Sequence, residues 1–123
     1  MTIQCVEVVF YVLPAGGCPV RDFLDGLPPK VCRKAFWTLE AVQAFGRASS
    51  QYFKCLVGTD GLYEVRVTAH RGDLRLIGFF GPRSKFILLN GFLKKTQETP
   101  QREIAVAQQR RKDYLARCEH ETR

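Results

Sequence analysis

The sequence predicts an α+β domain, and three observations carry that reading. A β-branched and aromatic run opens the chain, two helix-patterned segments separated by a proline pair follow, and three further strand-like runs precede a last helix. At 123 residues the chain fits one domain with a single modest core. An apolar fraction of 46% beside 25% charged residues is ordinary for a globular protein and argues against disorder.

Each element has its own signal. IQCVEVVFYVL (3–13) reads as a strand stopped by Pro14 and the Gly16-Gly17 pair. CPVRDFLDGL (18–27) reads as a short helix, with Pro19 in its first turn, Val20, Phe23 and Leu24 on one face, and Gly26 at its end. After Pro28-Pro29, KVCRKAFWTLEAVQAFG reads as a longer helix. Val31 or Cys32, Ala35 or Phe36, Leu39 and Val42 recur at steps of three and four, and Gly46 lies beyond the last turn. The proline pair between the two helices suggests a helical hairpin. Residues 47–61, polar and glycine-containing, read as a loop.

LYEVRVT (62–68), LRLIGFFG (74–81) and KFILLNGFLKK (85–95) are separated by AHRGD and PRS, connections of hairpin length. An antiparallel meander is the economical arrangement. Thr99 can cap a final helix with Pro100 in its first position, and Ile104, Ala107 and Leu115 give that helix a narrow apolar stripe. The resulting sheet is the N-terminal strand plus a three-stranded meander, in one domain spanning 1–123.

Composition excludes several functions. No apolar run approaches the ~18 residues a membrane span needs. The opening MTIQCVEVVFYVLP has neither a basic leader nor a small-residue cleavage site, so it is not read as a signal peptide. Five cysteines, odd in number and without a Cys-x-x-Cys pair, point to reduced thiols in a cytoplasm, with small buried hydrophobes as their expected role. Two histidines, His70 and His120, without clustered Cys/His spacing, give no expectation of a zinc site, and no cofactor is expected.

The net charge of +7 is unevenly spread. Residues 62–95 carry seven basic groups, Arg66, Arg71, Arg75, Arg83, Lys85, Lys94 and Lys95, against Glu64 and Asp73 alone. A cationic concentration of this kind is the footprint of a polyanion partner, most often nucleic acid, or else a basic face kept for solubility. On a strand, Glu64 and Arg66 share one face while Tyr63, Val65 and Val67 take the other, and Arg75 lies opposite Leu74 and Leu76. If Arg66 and Arg75 are cross-strand neighbours, two guanidiniums share a face, which is unfavourable unless an anion or a carboxylate intervenes. The pattern therefore supports either an anion-binding surface extended by Lys94 and Lys95, or a salt-bridge ladder anchored by Glu64. Because the opposite strand face is apolar, alanine at either arginine is expected to fold.

The segments GLYEVRV, LRLIGFF and GFLKKTQETPQREIAVAQQRRKDY resemble the RelE/ParE toxin superfamily, and within it the HigB-like, phage-derived branch. The KKT-x-x-TP-x-x-EI element is the specific part of that resemblance, and the order of elements agrees over nearly the whole chain. The resemblance implies a RelE-like fold, with the helical hairpin packed on the sheet. It also implies the toxin of a type II toxin–antitoxin pair: a metal-independent endoribonuclease that cleaves mRNA, usually on the ribosome, and is silenced by a cognate antitoxin. Carried over by motif position, Glu64, Arg66, Arg75 and Lys94 are the candidate catalytic residues. Arg66 and Arg75 would serve the scissile phosphate, and Lys94 and Lys95 flanking phosphates or ribosomal RNA. Lys95, Arg71, His70, Arg83 and Lys85 are candidates for contacting RNA or the ribosome.

One departure is visible: Asn90 stands where the branch often carries histidine, which removes one general acid–base candidate. His70, in the turn beside Arg71, is either an acid–base group or an exposed loop histidine. Tyr63 and Phe92 are either base-stacking or core residues. Two other functions compete, a non-nuclease toxin of the same fold that inhibits gyrase, as in the ParE branch, and a binding module without chemistry. Fold alone does not separate them.

Overall fold

The computed structural model describes residues 5–46, 52–69, 72–94 and 99–121. The elements follow one another as β1 (Glu7–Phe10), α1 (Pro19–Asp25), α2 (Pro29–Phe45), β2 (Phe53–Cys55), β3 (Leu62–Ala69), β4 (Gly72–Gly81), β5 (Lys85–Lys94) and α3 (Gln101–Glu121). The fold is α+β, with a five-stranded sheet in the order β1-β5-β4-β3-β2. Two layers flank it: α1 and α2 on one face and α3 on the other.

The first layer follows from helical spacing. Val20 and Leu24 of α1 and Ala35, Leu39 and Val42 of α2 are buried against Val65, Val67, Leu74, Leu76, Phe86 and Leu88. Thr38, absent from the expected stripe, is also buried and returns its hydroxyl to the Lys34 carbonyl at 2.9 Å. The second layer packs Ile104, Ala107 and Tyr114 of α3 on Leu62, Ile77, Phe79, Ile87 and Leu89. Leu115, expected in this stripe, is 37% exposed, and Tyr114 takes its place, edge-on to Phe79 at 6.0 Å.

Three features differ from the sequence reading. β1 runs parallel to β5, from Glu7↔Lys85 to Phe10↔Leu88, so the sheet is mixed rather than wholly antiparallel. Its backbone bonds to Ser84 and Leu88 at 2.9 and 3.0 Å define that register. The expected loop over 47–61 contains β2, which pairs antiparallel with β3. Three residues are too few for a period to be read, yet Phe53 is buried among Tyr63, Phe80 and Phe86, with ring centroids 5.2 to 6.3 Å away. All five cysteines remain thiols, but none is a buried hydrophobe: Cys5 and Cys55 are exposed, and Cys18, Cys32 and Cys118 are partly buried.

A bulge in β5 decides what faces α3. The register runs Ile77↔Asn90 and then Gly78↔Leu88, leaving Leu89 as an extra residue. Such an insertion shifts the strand's alternation by one. Residues 90, 92 and 94 thereby join Ile87 and Leu89 on the α3 side. Gly78 permits it, since a Cβ there would lie 2.6 Å from the Ile87 carbonyl oxygen and 2.9 Å from the Phe86 ring. Gly91 has an equally tight role on the other face, where a Cβ would meet Leu76 and Phe23 at 2.7 Å, so its absence lets α1 approach.

α3 is tied to the sheet by polar contacts along its length. Arg110 donates to the Leu89 carbonyl at 2.8 Å, and Arg111 to the carbonyls of Thr59 and Asp60 at 2.9 Å. Near its C-terminal end, the Tyr11 hydroxyl and Arg117 both donate to Asp113, each at 2.6 Å. The Tyr11 bond holds Asp113 below the usual carboxylate range, while burial, reinforced by Asp113, raises the Tyr11 phenol.

The linkage follows in sign. The Asp113 contribution is present above the ordinary Asp value near 3.8 and is lost as pH falls through its lowered value. The Tyr11 contribution is present below 10.0 and is lost as pH rises through its raised value. The melting-temperature gap between wild type and Tyr11→Phe is therefore widest near neutrality and narrows at both pH extremes. A gap that stays constant from about pH 3 to pH 11 refutes the assignment.

Candidate functional site

The α3 face of the sheet changes character toward one end. In register, the rows are Leu62–Phe79, then Glu64–Ile77–Asn90, then Arg66–Arg75–Phe92, then Thr68–Asp73–Lys94. α3 starts above the Glu64–Asn90 row and runs away from the last two rows. Thr99 donates its hydroxyl to Glu64 Oε2, and Asn90 Nδ2 donates to Glu103 Oε1 at 2.9 Å and to the Glu103 carbonyl at 3.2 Å. Arg66 and Thr68 are exposed beyond this point.

Arg66 and Arg75 face one another directly across β3 and β4. Their environments differ sharply. Arg75 is 7% exposed, and its Nε donates to Glu64 Oε1 at 3.1 Å while Nη2 donates to Asp73 Oδ2 at 3.2 Å. Nη1 turns back to the Leu74 carbonyl at 3.2 Å. Glu64 is fully buried, and Lys94 Nζ stands 3.7 Å from the same Oε1. Two carboxylates thus face two cations in a cluster that is buried at Glu64, Arg75 and Lys94 and open at Asp73, and burial there is tolerable because the charges are matched and hydrogen-bonded. Arg66 is different: it is exposed, and no side-chain partner is recorded for it among the described residues. The cluster fixes Arg75 rigidly and leaves Arg66 as the cation offered to solvent.

The arrangement can bind an anion at Arg66, beside a preorganised, charge-matched scaffold. A guanidinium on the open row matches phosphate oxygens with its planar fork. Of the carboxylates in these rows, the Asp73 side chain is 46% exposed and is bonded to Arg75 Nη2. Glu64 has no contact with solvent, and Asn90, 4% exposed, has its Oδ1 buried without a hydrogen-bond partner.

Of the sequence-predicted residues, Glu64, Arg66, Arg75 and Lys94 come together here. Arg83 and Lys85 do not. They lie at the β4–β5 turn, nine residues back along β5 from Lys94, or about 30 Å. Arg83 is exposed there with φ 63°, and Lys85 pairs across to Glu7 and Gly81. His70, Arg71 and Lys95 lie outside the described residues. Tyr63 packs edge-on against Phe53 and Phe80 on the hairpin face, and Phe92 is 8% exposed beside Arg75, so both are core residues.

Asp73, Thr99 and Glu103 were missed as parts of the site. The sequence places Asp73 in the AHRGD turn, whereas β4 begins at Gly72 and brings it onto the Lys94 row. Thr99, which the sequence offers as the cap of α3, also donates its hydroxyl to Glu64.

The family model described as phage derived protein Gp49-like (DUF891) matches residues 22–112, a span containing every site residue named above. No curated protein matches the chain. Among the described residues no helix is long and apolar enough to cross a membrane. With about three quarters of its length matched, the chain belongs to the phage-derived Gp49-like family, a family of RelE/HigB-like toxins.

Proposed function

We propose that the protein is the toxin of a type II toxin–antitoxin pair and acts as a metal-independent endoribonuclease on mRNA in the translating ribosome. One observation carries the reading: Arg66 stands exposed, with no ion-pair partner among the described residues, beside Arg75, whose own charge is matched and locked by Glu64 and Asp73. RNA cleavage by the neighbouring 2′-hydroxyl needs that hydroxyl deprotonated, the phosphorane charge stabilised and the 5′-oxygen protonated. Preorganised cations supply the middle requirement, commonly the largest single contribution in such sites. Arg66 contacts the scissile phosphate in this reading, and Arg75, locked beside it across the strands, keeps that face of the site rigid. Lys94, held by Glu64, sets the edge of the patch, and Lys95 and Arg71, outside the described residues, remain candidate RNA contacts on their sequence positions. His70 is the acid–base candidate nearest in sequence. Arg83 and Lys85, at the far end of the sheet, would serve only as a separate contact to ribosomal RNA.

The cationic patch also defines the partner. A cognate antitoxin is expected to present acidic or apolar groups that cover the patch or keep it from the ribosome. The nuclease reading is tested by inducing the protein and mapping new mRNA 5′ ends with and without active ribosomes. New ends that appear only during translation, and vanish when the antitoxin from the neighbouring reading frame is co-expressed, are the expected result. Growth arrest with intact mRNA and altered DNA supercoiling would transfer the protein to the gyrase-inhibiting reading.

A further inference from the structure

Lys94 and Thr99 flank the β5–α3 connection, and both reach the same carboxylate. Lys94 Nζ approaches Glu64 Oε1, and the Thr99 hydroxyl donates to Glu64 Oε2. Oε1 also receives Arg75 Nε at 3.1 Å. Glu64 therefore has one oxygen engaged by cations and the other engaged by a neutral donor from the start of α3. A carboxylate on a strand can rotate about its terminal torsion, which is broad and soft. A donor on the second oxygen removes that freedom and fixes the plane in which Oε1 meets Arg75. Asn90 and Glu103 form a second tie between the same helical turn and the same cross-strand row.

We propose that Thr99 is a positioning residue for the anion site: acting through Glu64, it fixes the orientation of Arg75 beside Arg66. The proposal rests on the nuclease reading for its effect on cleavage but not for its effect on Arg75. An ordinary capping role makes a different statement, because aspartate and serine both cap helices at least as well as threonine. Serine retains the donor to Glu64, valine keeps the shape and loses it, and aspartate keeps the cap but sets a like charge against a fully buried carboxylate.

The test compares Thr99→Ser, Thr99→Val and Thr99→Asp in single-turnover cleavage of ribosome-bound mRNA, and follows the Arg75 Nε–H signal by nitrogen–proton NMR of the isolated protein. The expected result is a kcat about tenfold or more lower in Thr99→Val, a KM within about twofold of wild type, a displaced Arg75 signal, and recovery of both by Thr99→Ser. Thr99→Asp is at least as impaired as Thr99→Val. Wild-type kcat and an unmoved Arg75 signal in Thr99→Val overturn the proposal, as does full activity in Thr99→Asp. If wild type cuts no RNA while the Arg75 signal still moves in valine and not in serine, the nuclease reading falls and the positioning role stands.

Discussion

Arg66→Ala is expected to lower cleavage of ribosome-bound mRNA by about 10²- to 10³-fold, the usual loss when one preorganised charge-stabilising donor is removed. The fold should be indifferent to the change. Arg66 is exposed, has no recorded side-chain partner among the described residues, and contributes its backbone N–H rather than its side chain to the sheet, bonding the Tyr52 carbonyl at 2.7 Å. Exposed substitutions of this kind stay within about 0.5 kcal/mol. Arg66→Lys retains the charge but not the planar fork, so it should recover only part of the activity. The measurement is toxicity and cleavage rate set beside thermal melting of the purified variants. A folded Arg66→Ala protein with undiminished toxicity removes Arg66 from the chemistry.

Arg75→Ala has the largest expected effect on stability, about 3–5 kcal/mol, because it strands a buried charge. That reverses the expectation from strand alternation, under which either arginine folds as alanine. The reason is local. Arg75 is buried beside Phe92, with Glu64 fully buried against it, so removing the guanidinium leaves Glu64 with Lys94 and Thr99 among the described residues. Neutralising Glu64 first should relieve most of this. In a Glu64→Gln background, Arg75→Ala should cost about 1–3 kcal/mol less than it does alone, the range for directly coupled residues. Chemical denaturation of the four proteins in the cycle supplies the number. Costs that add to within about 0.5 kcal/mol would mean that Arg75 and Glu64 are not an energetic pair. The double variant, if folded, should still cleave poorly, since it lacks the rigid neighbour that Arg75 provides beside Arg66.

These two outcomes separate residues that the sequence treats alike. Arg66 and Arg75 each stand on the polar side of an alternating strand, and both fit the family motif. Alternation states which side of a strand a residue leaves from, not what lies above it. Arg75 stands on β4, between β3 and β5, with Phe92 beside it and Glu64 and Asp73 bonded to its guanidinium, whereas Arg66 stands on β3 in the same row and is exposed. The position of β4 in the sheet and these carboxylates make one arginine a buried scaffold and the other an open cation.

Much was legible from sequence because the signals were local. The helices of the hairpin follow from three- and four-residue spacing and from prolines at their first turns, and β3 and β4 from period-2 alternation around short turns. The pairing of Arg66 with Arg75 was only one possibility in the sequence: a hairpin closed around the whole of AHRGD would set Arg66 against Leu76, whereas the strands pair as far as Ala69↔Gly72, three residues from each arginine, and so bring the two together. Strand direction and register over long separations were not legible. β1 lies beside β5, 78 positions away at Glu7↔Lys85, and nothing near either strand specifies a parallel pairing. β2 is three residues long and is held by burial of Phe53 rather than by any pattern of its own.

The site itself turned on a single inserted residue. Strict alternation from Ile87 would send Leu93 and Lys95 toward α3 and Lys94 away from it. Leu89 breaks that count, so Lys94 reaches Glu64 while Leu93 is left 52% exposed on the other face. The sequence by itself determined the α+β class, the cationic concentration and the identity of the two arginines, since composition, period and motif are properties of neighbours along the chain. Which cation is locked, which is offered to solvent, and that Thr99 closes on Glu64 were decided only by tertiary structure. A bulge and a helix start are set by how distant segments share space, and burial decides the cost and the use of each charge.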